Sequence, residues 1–237
     1  VIYMLPILEM LASKKWEQST ALVIFPQKAL AQDQLERFID FGQALRKNAK
    51  IGVYDGDTLP EQRTTLRRKS TILLTNPDML HLILANHSMW ARFLSQLRYV
   101  VVDEAHVYSG VFGSHVSFIF RRLNRLCRYY RSSPQYIGCS GTIANPREHM
   151  QKLIGYSVEL VPPTANGAPS GERLVVFWNP ARNAKTGKRN SFFETTQLLT
   201  RLVSDTTFRC LCFVRARVSG EVLSKSVVDR LVETKNG

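Results

Sequence analysis

The sequence predicts an α/β protein built on a mostly parallel sheet with helices on both sides. Two observations predict it. Short apolar runs alternate with longer segments of helical periodicity along the chain. Several of those runs are continuous in Val, Ile and Leu, as strands buried on both faces should be. In such sheets ligands sit beyond the carboxyl ends of the strands, so the residues that follow each run are the first place to look for chemistry.

Taken in order, a helix is expected over Val1–Leu11, then a strand at Ala21–Phe25, an uninterrupted apolar run. A helix over Lys28–Arg46 leads to a strand at Ile51–Tyr54, and a helix over Glu61–Lys69 to a strand at Thr71–Leu74. Pro77–Ala85 opens on a proline, which suits a first helical turn. The strand Tyr99–Asp103 precedes the clearest helix, Ser114–Tyr130. There Val116, Ile119, Phe120, Leu123, Leu126, Cys127 and Tyr130 form one apolar stripe. Arg121, Arg122, Arg125, Arg128 and Arg131 make its outward side basic, which a solvated charged face explains. Further strands are expected at Tyr136–Cys139, Val158–Val161, Leu174–Trp178 and Cys210–Val214, and helices at Pro146–Ile154, Phe193–Ser204 and Ser219–Glu233. Pro162–Gly171 reads as a loop. Asn179–Asn190 is polar and basic and reads as a linker, after which a second domain begins.

The chain has 237 residues, 44% hydrophobic and 22% charged, which is ordinary globular usage and excludes a disordered tail or a collagen-like chain. No run of 18 apolar residues offers a membrane span. Val1–Trp16 lacks the basic start and cleavage signal of a secretory leader. Four scattered cysteines do not make a disulfide scaffold, so an intracellular, reducing compartment is expected: the nucleus in a eukaryote, the cytoplasm in a bacterium. The net charge of +13 favours a polyanionic partner, nucleic acid before membrane. The chain opens on Val1 inside an apolar stretch and stops directly after a helix, so it reads as a piece of something longer.

The strongest local signal is Tyr99-Val100-Val101-Val102-Asp103-Glu104-Ala105-His106: a buried strand ending in two adjacent carboxylates and a histidine. Phosphoryl transfer needs an acid at a strand tip to hold Mg²⁺ and a group that orients and deprotonates the attacking water. Asp103 suits the metal, through a water because Mg²⁺ keeps much of its hydration shell. Glu104 suits the water, and His106 could sense the γ-phosphate. Adjacent acids at a strand end also fit a solvated turn or a helix cap. Three more polar clusters follow strands: Pro26–Gln34, Thr75-Asn76-Pro77-Asp78 and Ser140-Gly141-Thr142. All four therefore stand on one rim of the sheet.

This order and spacing resemble the motor core of superfamily 2 helicases, with motif Ia at Pro26–Gln34, Ib at Thr75–Asp78, II (the DEAH box) at Asp103–His106 and III at Ser140–Thr142. Cys212–Arg217 looks like motif IV. Asp103–Val116, Arg121–Cys127, Thr142–Pro146, Gly171–Arg173 and Trp178–Pro180 are similar to one subgroup, the MrfA/YprA-like DNA helicases, which are related to RecQ helicases and carry a cysteine-rich C-terminal domain. The resemblance implies a first RecA-like (P-loop NTPase type) lobe over 1–178, a linker over 179–191 and the start of a second RecA-like lobe over 192–237. It implies an ATP-dependent 3′-to-5′ DNA helicase or translocase with a role in DNA repair, using ATP and Mg²⁺. Asp103, Glu104 and His106 are its expected catalytic residues, and Ser140 and Thr142 its links between nucleotide state and DNA grip. Lys28, Gln32, Gly56 and the loop Thr75, Asn76, Pro77, Asp78 are its expected contacts to a single strand of DNA.

Three departures from the family pattern stand out. The phosphate-binding pattern G-x-x-x-x-G-K-[ST] occurs nowhere; in the family it precedes a helix like Val1–Leu11, after a strand expected to be central in the sheet. Gly141 replaces the usual Ala of motif III, and Gln27 the usual Thr of motif Ia. Motifs V and VI, with their arginine finger, are missing. Two rival readings remain: a catalytically inactive nucleic-acid-binding fragment, and an RNA helicase-type motor. The four cysteines read as small core residues, His81, His87, His115 and His149 form no ligand spacing, and Trp16, Trp90 and Trp178 read as core or interface anchors.

Overall fold

A computed structural model describes residues 2–13, 18–45, 48–169, 171–182, 187, 190–205 and 209–236. Among them are nine α-helices and five strands. In chain order these are α1 (Met4–Ala12), β1 (Thr20–Ile24), α2 (Lys28–Leu45), β2 (Lys50–Val53), α3 (Pro60–Lys69), β3 (Ser70–Thr75), α4 (Pro77–Ala85), α5 (Ala91–Ser95), β4 (Leu97–Val102), α6 (Gly110–Tyr129), β5 (Gln135–Gly138), α7 (Pro146–Ile154), α8 (Ser191–Ser204) and α9 (Arg217–Asn236). Trp16, Arg46 and the linker residues Lys185, Lys188 and Arg189 lie outside the described residues.

All five strands pair in parallel, in the order β2-β3-β1-β4-β5. The expected α/β architecture is therefore the observed one. Val23 stands between Leu74 of β3 and Val101 of β4, so these inner strands pair directly. These five strands form one continuous ladder. Successive strand residues face opposite layers, as the two-residue repeat requires. Leu22, Ile24, Leu73, Val100 and Val102 pack with Leu80, Trp90, Phe93, Phe120 and Leu123 on one side. Ala21, Val23, Ile72, Leu74 and Val101 pack with Met4, Ile7, Leu11 and Phe38 on the other. Burying each of these large apolar side chains contributes about 1.5–3 kcal/mol.

Parallel pairing puts every strand's carboxyl end on one rim. Ile24, Val53, Thr75, Val102 and Gly138 mark it. The order of elements over the first 154 residues matches the sequence reading, apart from α5, which is too short to show helical periodicity. Three expected strands do not form. Val158–Val161, Leu174–Trp178 and Cys210–Val214 carry no ladder, and most of their side chains are exposed. Their apolar composition is strand-like, but a strand needs a paired neighbour as well as propensity. The chain divides into two compact units, Val1–Asn166 and Gly167–Gly237. In the second, α8 and α9 pack together and Arg230 lies 4.8 Å from the ring centre of Phe193.

Candidate functional site

The rim is shaped by backbone bonds around the tip of β4. The Asp103 N–H donates to Ile24 O of β1 (3.0 Å), and Ala105 N–H to Cys139 O just past β5 (2.8 Å). The acidic pair is thus clamped to both neighbouring strands. Glu104, between them, has φ 49° and ψ 44°. That left-handed conformation is uncommon for a residue with a side chain and costs on the order of 1–2 kcal/mol. Such strain persists only where the surroundings enforce it, and it collects at functional sites.

Asp103 is half-buried. Its Oδ1 accepts from the Glu104 N–H (2.9 Å), and the Tyr3 hydroxyl donates to its Oδ2 (3.4 Å). Burial and the Asp103 carboxylate together hold the Tyr3 hydroxyl far above the ordinary tyrosine range, so it remains a proton donor. Tyr108 is buried and raised by that burial and then by the Asp103 and Glu104 carboxylates, and its hydroxyl has no hydrogen-bond partner among the described residues. Cys139 is pushed up to about 11 by burial and by Asp103.

His106 connects the acids to the residues after β5. Its Nδ1 accepts from the Gly141 N–H (3.0 Å) and lies 3.3 Å from Glu104 Oε2. A proton on Nδ1 would favour the carboxylate, and its absence favours the Gly141 N–H, so the ring stands between two alternative partners. A methyl on Gly141 would sit 3.3 Å from the ring's Cε1 and 3.4 Å from Nδ1, so a side chain there would press on the imidazole by only a few tenths of an ångström. Ser140 and Thr142 are exposed beside it, and Ser140 Oγ donates to Gly141 O (2.8 Å).

Lys28 and Gln32 are exposed on the first turn of α2, four residues apart and so on one face. Lys28 Nζ reaches Asp57 Oδ2 (3.0 Å) in the loop after β2, beside Gly56, where an added Cβ would lie 3.1 Å from the same ammonium. The loop is fixed by Asp55 Oδ1, which accepts from Asp57 N–H (2.9 Å), and by Thr58 Oγ1, which accepts from Asp55 N–H (2.8 Å). Thr75, Asn76 and Pro77 are buried. Thr75 Oγ1 donates to Tyr54 O (2.7 Å), and Asn76 Oδ1 caps α4 by accepting from Met79 N–H (2.9 Å). Only Asp78 of that loop is exposed.

Sequence reasoning missed Tyr3 and His149. His149 Nε2 lies 2.8 Å from Ala105 O and anchors the turn after the acids. No local spacing signals either contact, because each partner lies far away in sequence. Hard oxygen donors on one side of a rim fit a magnesium ion that takes its other ligands from phosphates and water. The described residues contain no cluster of three or more protein ligands that would make a closed metal cage.

Residues 1–150 match the model of the DEAD/DEAH box helicase family. The chain belongs to that family. Within it the chain is similar to the MrfA/YprA-like helicases. It is 40% identical over 238 residues to the Bacillus subtilis ATP-dependent helicase YprA, covering 99% of this chain and 31% of YprA. It is 40% identical over 241 residues to the Saccharomyces cerevisiae ATP-dependent helicase HRQ1, covering 99% of this chain and 22% of that protein. A crystal structure of the helicase MrfA bound to DNA and AMPPNP superimposes with a TM-score of 0.90 at 40% identity, over 98% of this chain and 32% of that one. The helicase Lhr of Mycobacterium smegmatis, bound to single-stranded DNA and AMP-PNP, shares the fold with a TM-score of 0.70 at 23% identity. The chain therefore spans less than a third of these helicases' length. No helix among its described residues is long and apolar enough to cross a membrane.

Proposed function

We propose that these residues form the water-activating and DNA-gripping part of an ATP-dependent DNA motor, with ATP and Mg²⁺ as cofactors. The observation that carries this reading is the acidic pair at the tip of β4, tied to both neighbouring strands with Glu104 held in a left-handed conformation. In this reading the first compact unit is a first RecA-like lobe, residues 179–191 link onward, and α8 and α9 open a second lobe. The motor works where DNA is kept, in nucleus or cytoplasm.

Asp103 would hold Mg²⁺, its carboxylate kept in place by the Glu104 N–H and the Tyr3 hydroxyl. When bound, the metal offsets the negative charge of the β- and γ-phosphates. Glu104 takes the proton of the water that attacks the γ-phosphorus, and ADP leaves. Its fixed backbone aims the carboxylate in advance, so little reorganisation remains. His106 then exchanges Glu104 for Gly141 as its partner, and Ser140 and Thr142 move with that loop. Lys28, Gln32 and Gly56 line the track for a DNA strand. The Lys28–Asp57 pair is exposed and worth little, so a backbone phosphate can displace the carboxylate. Thr75, Asn76 and Pro77 shape the track from beneath, with Asp78 at its edge. No G-x-x-x-x-G-K-[ST] pattern occurs in these residues, so the phosphate cradle is not part of their contribution.

The test is ATP-dependent unwinding by the full-length protein of a DNA duplex with a 3′ single-stranded tail, beside a 5′-tailed duplex and an RNA duplex of the same sequence. Unwinding of the 3′-tailed DNA alone is expected. Equal unwinding of RNA would favour an RNA motor, and no ATP-dependent unwinding would contradict the reading.

A further inference from the structure

The starts of the strands form a second rim, opposite the acidic pair, and its electrostatics differ. From Gln62 to Arg147 the sequence has twelve Lys and Arg but only three acids, Asp78, Asp103 and Glu104. All three acids stand at the carboxyl rim, where β3 and β4 end. The opposite rim receives the last turn of α3, with Arg68 and Lys69 immediately before β3, and the last turns of α6, with Arg125, Arg128 and then Arg131 ahead of β5. Among the described residues none of these side chains, nor Arg121, pairs with a carboxylate. A surface merely solvated and charged usually mixes both signs.

The two helix ends are joined into one surface. Arg67 Nη1 reaches Met89 Sδ (3.0 Å), and the Tyr130 hydroxyl lies 2.8 Å from His87 Nδ1. Met89 and His87 belong to one short turn, His87–Trp90, that lies between α3 and α6. On α6 itself Arg121, Arg125 and Arg128 are exposed at i, i+4 and i+7, a straight row along the helix. Phe118, 68% exposed, lies under the Arg121 guanidinium at 6.0 Å and limits its freedom.

We propose that this rim is a second DNA-binding surface that holds the phosphate backbone of duplex DNA, separate from the Lys28 track. The proposal rests on DNA being the motor's partner. The face of α6 that carries Arg121 and Arg125 is an exposed helix surface, and only Arg128 of the three borders the groove lined by Tyr136, Met150 and Tyr156. The helix presents a rigid row of cations, and the duplex is the partner with a rigid backbone and the higher density of negative charge. Arginine suits such contacts because its guanidinium can hold a phosphate through two parallel hydrogen bonds.

The experiment measures binding of a fluorescent blunt DNA duplex and a fluorescent single strand to the full-length protein by anisotropy, between about 50 and 200 mM salt. The variants are Arg121→Ala/Arg125→Ala/Arg128→Ala and, separately, Lys28→Ala. The triple variant is expected to lose about tenfold or more in duplex affinity, and its log–log salt slope to become shallower by about 3, near 0.9 for each phosphate contact removed. Its single-strand affinity should stay within about twofold of wild type, and Lys28→Ala should show the reverse pattern. Duplex binding by the triple variant equal to wild type would overturn the proposal while leaving the Lys28 track intact. Loss by the triple variant of binding to phosphatidylserine vesicles, with duplex binding unchanged, would overturn it in favour of a membrane. Wild-type protein that binds neither form of DNA would overturn the DNA reading and this proposal together.

Discussion

Glu104 joins stability and chemistry at a single residue. Its left-handed backbone suits glycine better than any residue with a Cβ. Glu104→Gly should therefore raise stability by about 1 kcal/mol, while Glu104→Ala should not. Thermal melts of the two variants compare them directly, and a lower melting temperature for Glu104→Gly would show that the turn is not strained. The carboxylates of this site were legible because a continuous apolar strand ends on them. The strain was not, since a conformation enforced from β1 and β5 leaves no mark in the local sequence. Tyr3 was equally silent, one hundred positions from Asp103. Thr75 and Asn76 show another limit of the sequence: polar residues after a strand give no sign that their side chains also bond within the fold, to Tyr54 O and Met79 N–H.

At the scale of elements, α6 carries two constraints. It begins at Gly110, ahead of the Ser114 expected from its apolar stripe, because its first turn has no repeating apolar residues. That turn lies against Tyr108: a methyl on Gly113 would come within 2.3 Å of the Tyr108 carbonyl oxygen. Gly113→Ala should cost about 1–3 kcal/mol, since backbone cannot yield as a side chain does. Lower down, Asn124 is buried, donates to Ile154 O (2.7 Å) and accepts from the Tyr136 hydroxyl, joining α6 to α7 and β5. Asn124→Ala leaves two buried partners unmade and should destabilise by about 2–4 kcal/mol, read from denaturant midpoints. The helices that pack on the sheet were legible from their periodicity. The unformed strands at Val158–Val161, Leu174–Trp178 and Cys210–Val214 were overread because composition reports propensity and says nothing of a pairing partner.

For the whole molecule, buried thiols give a pH limit. Burial pushes Cys127 and Cys139 from 9.0 up to about 11. The unfolded chain then loses these protons first, so stability is complete below pH 9 and falls as pH rises through about 11. Denaturant melts at pH 8, 9.5 and 11 should show that decline, and serine at both positions should remove the part that sets in near pH 9, leaving the part that the raised Tyr3, Tyr108 and Tyr136 hydroxyls add above about pH 10. The parallel sheet, its two buried layers and the carboxyl rim all follow from the alternation of short apolar runs and helices. The separate basic rim emerges only when the strand starts are brought together. If Glu104 activates the water that attacks ATP, the DNA-stimulated ATP hydrolysis rate of the full-length protein, measured beside its Glu104→Gln variant and with DNA affinity on both, reports it. Glu104→Gln is expected to lose about a hundredfold or more in hydrolysis with DNA affinity unchanged, in line with general-base catalysis. Hydrolysis within about threefold of wild type would contradict it.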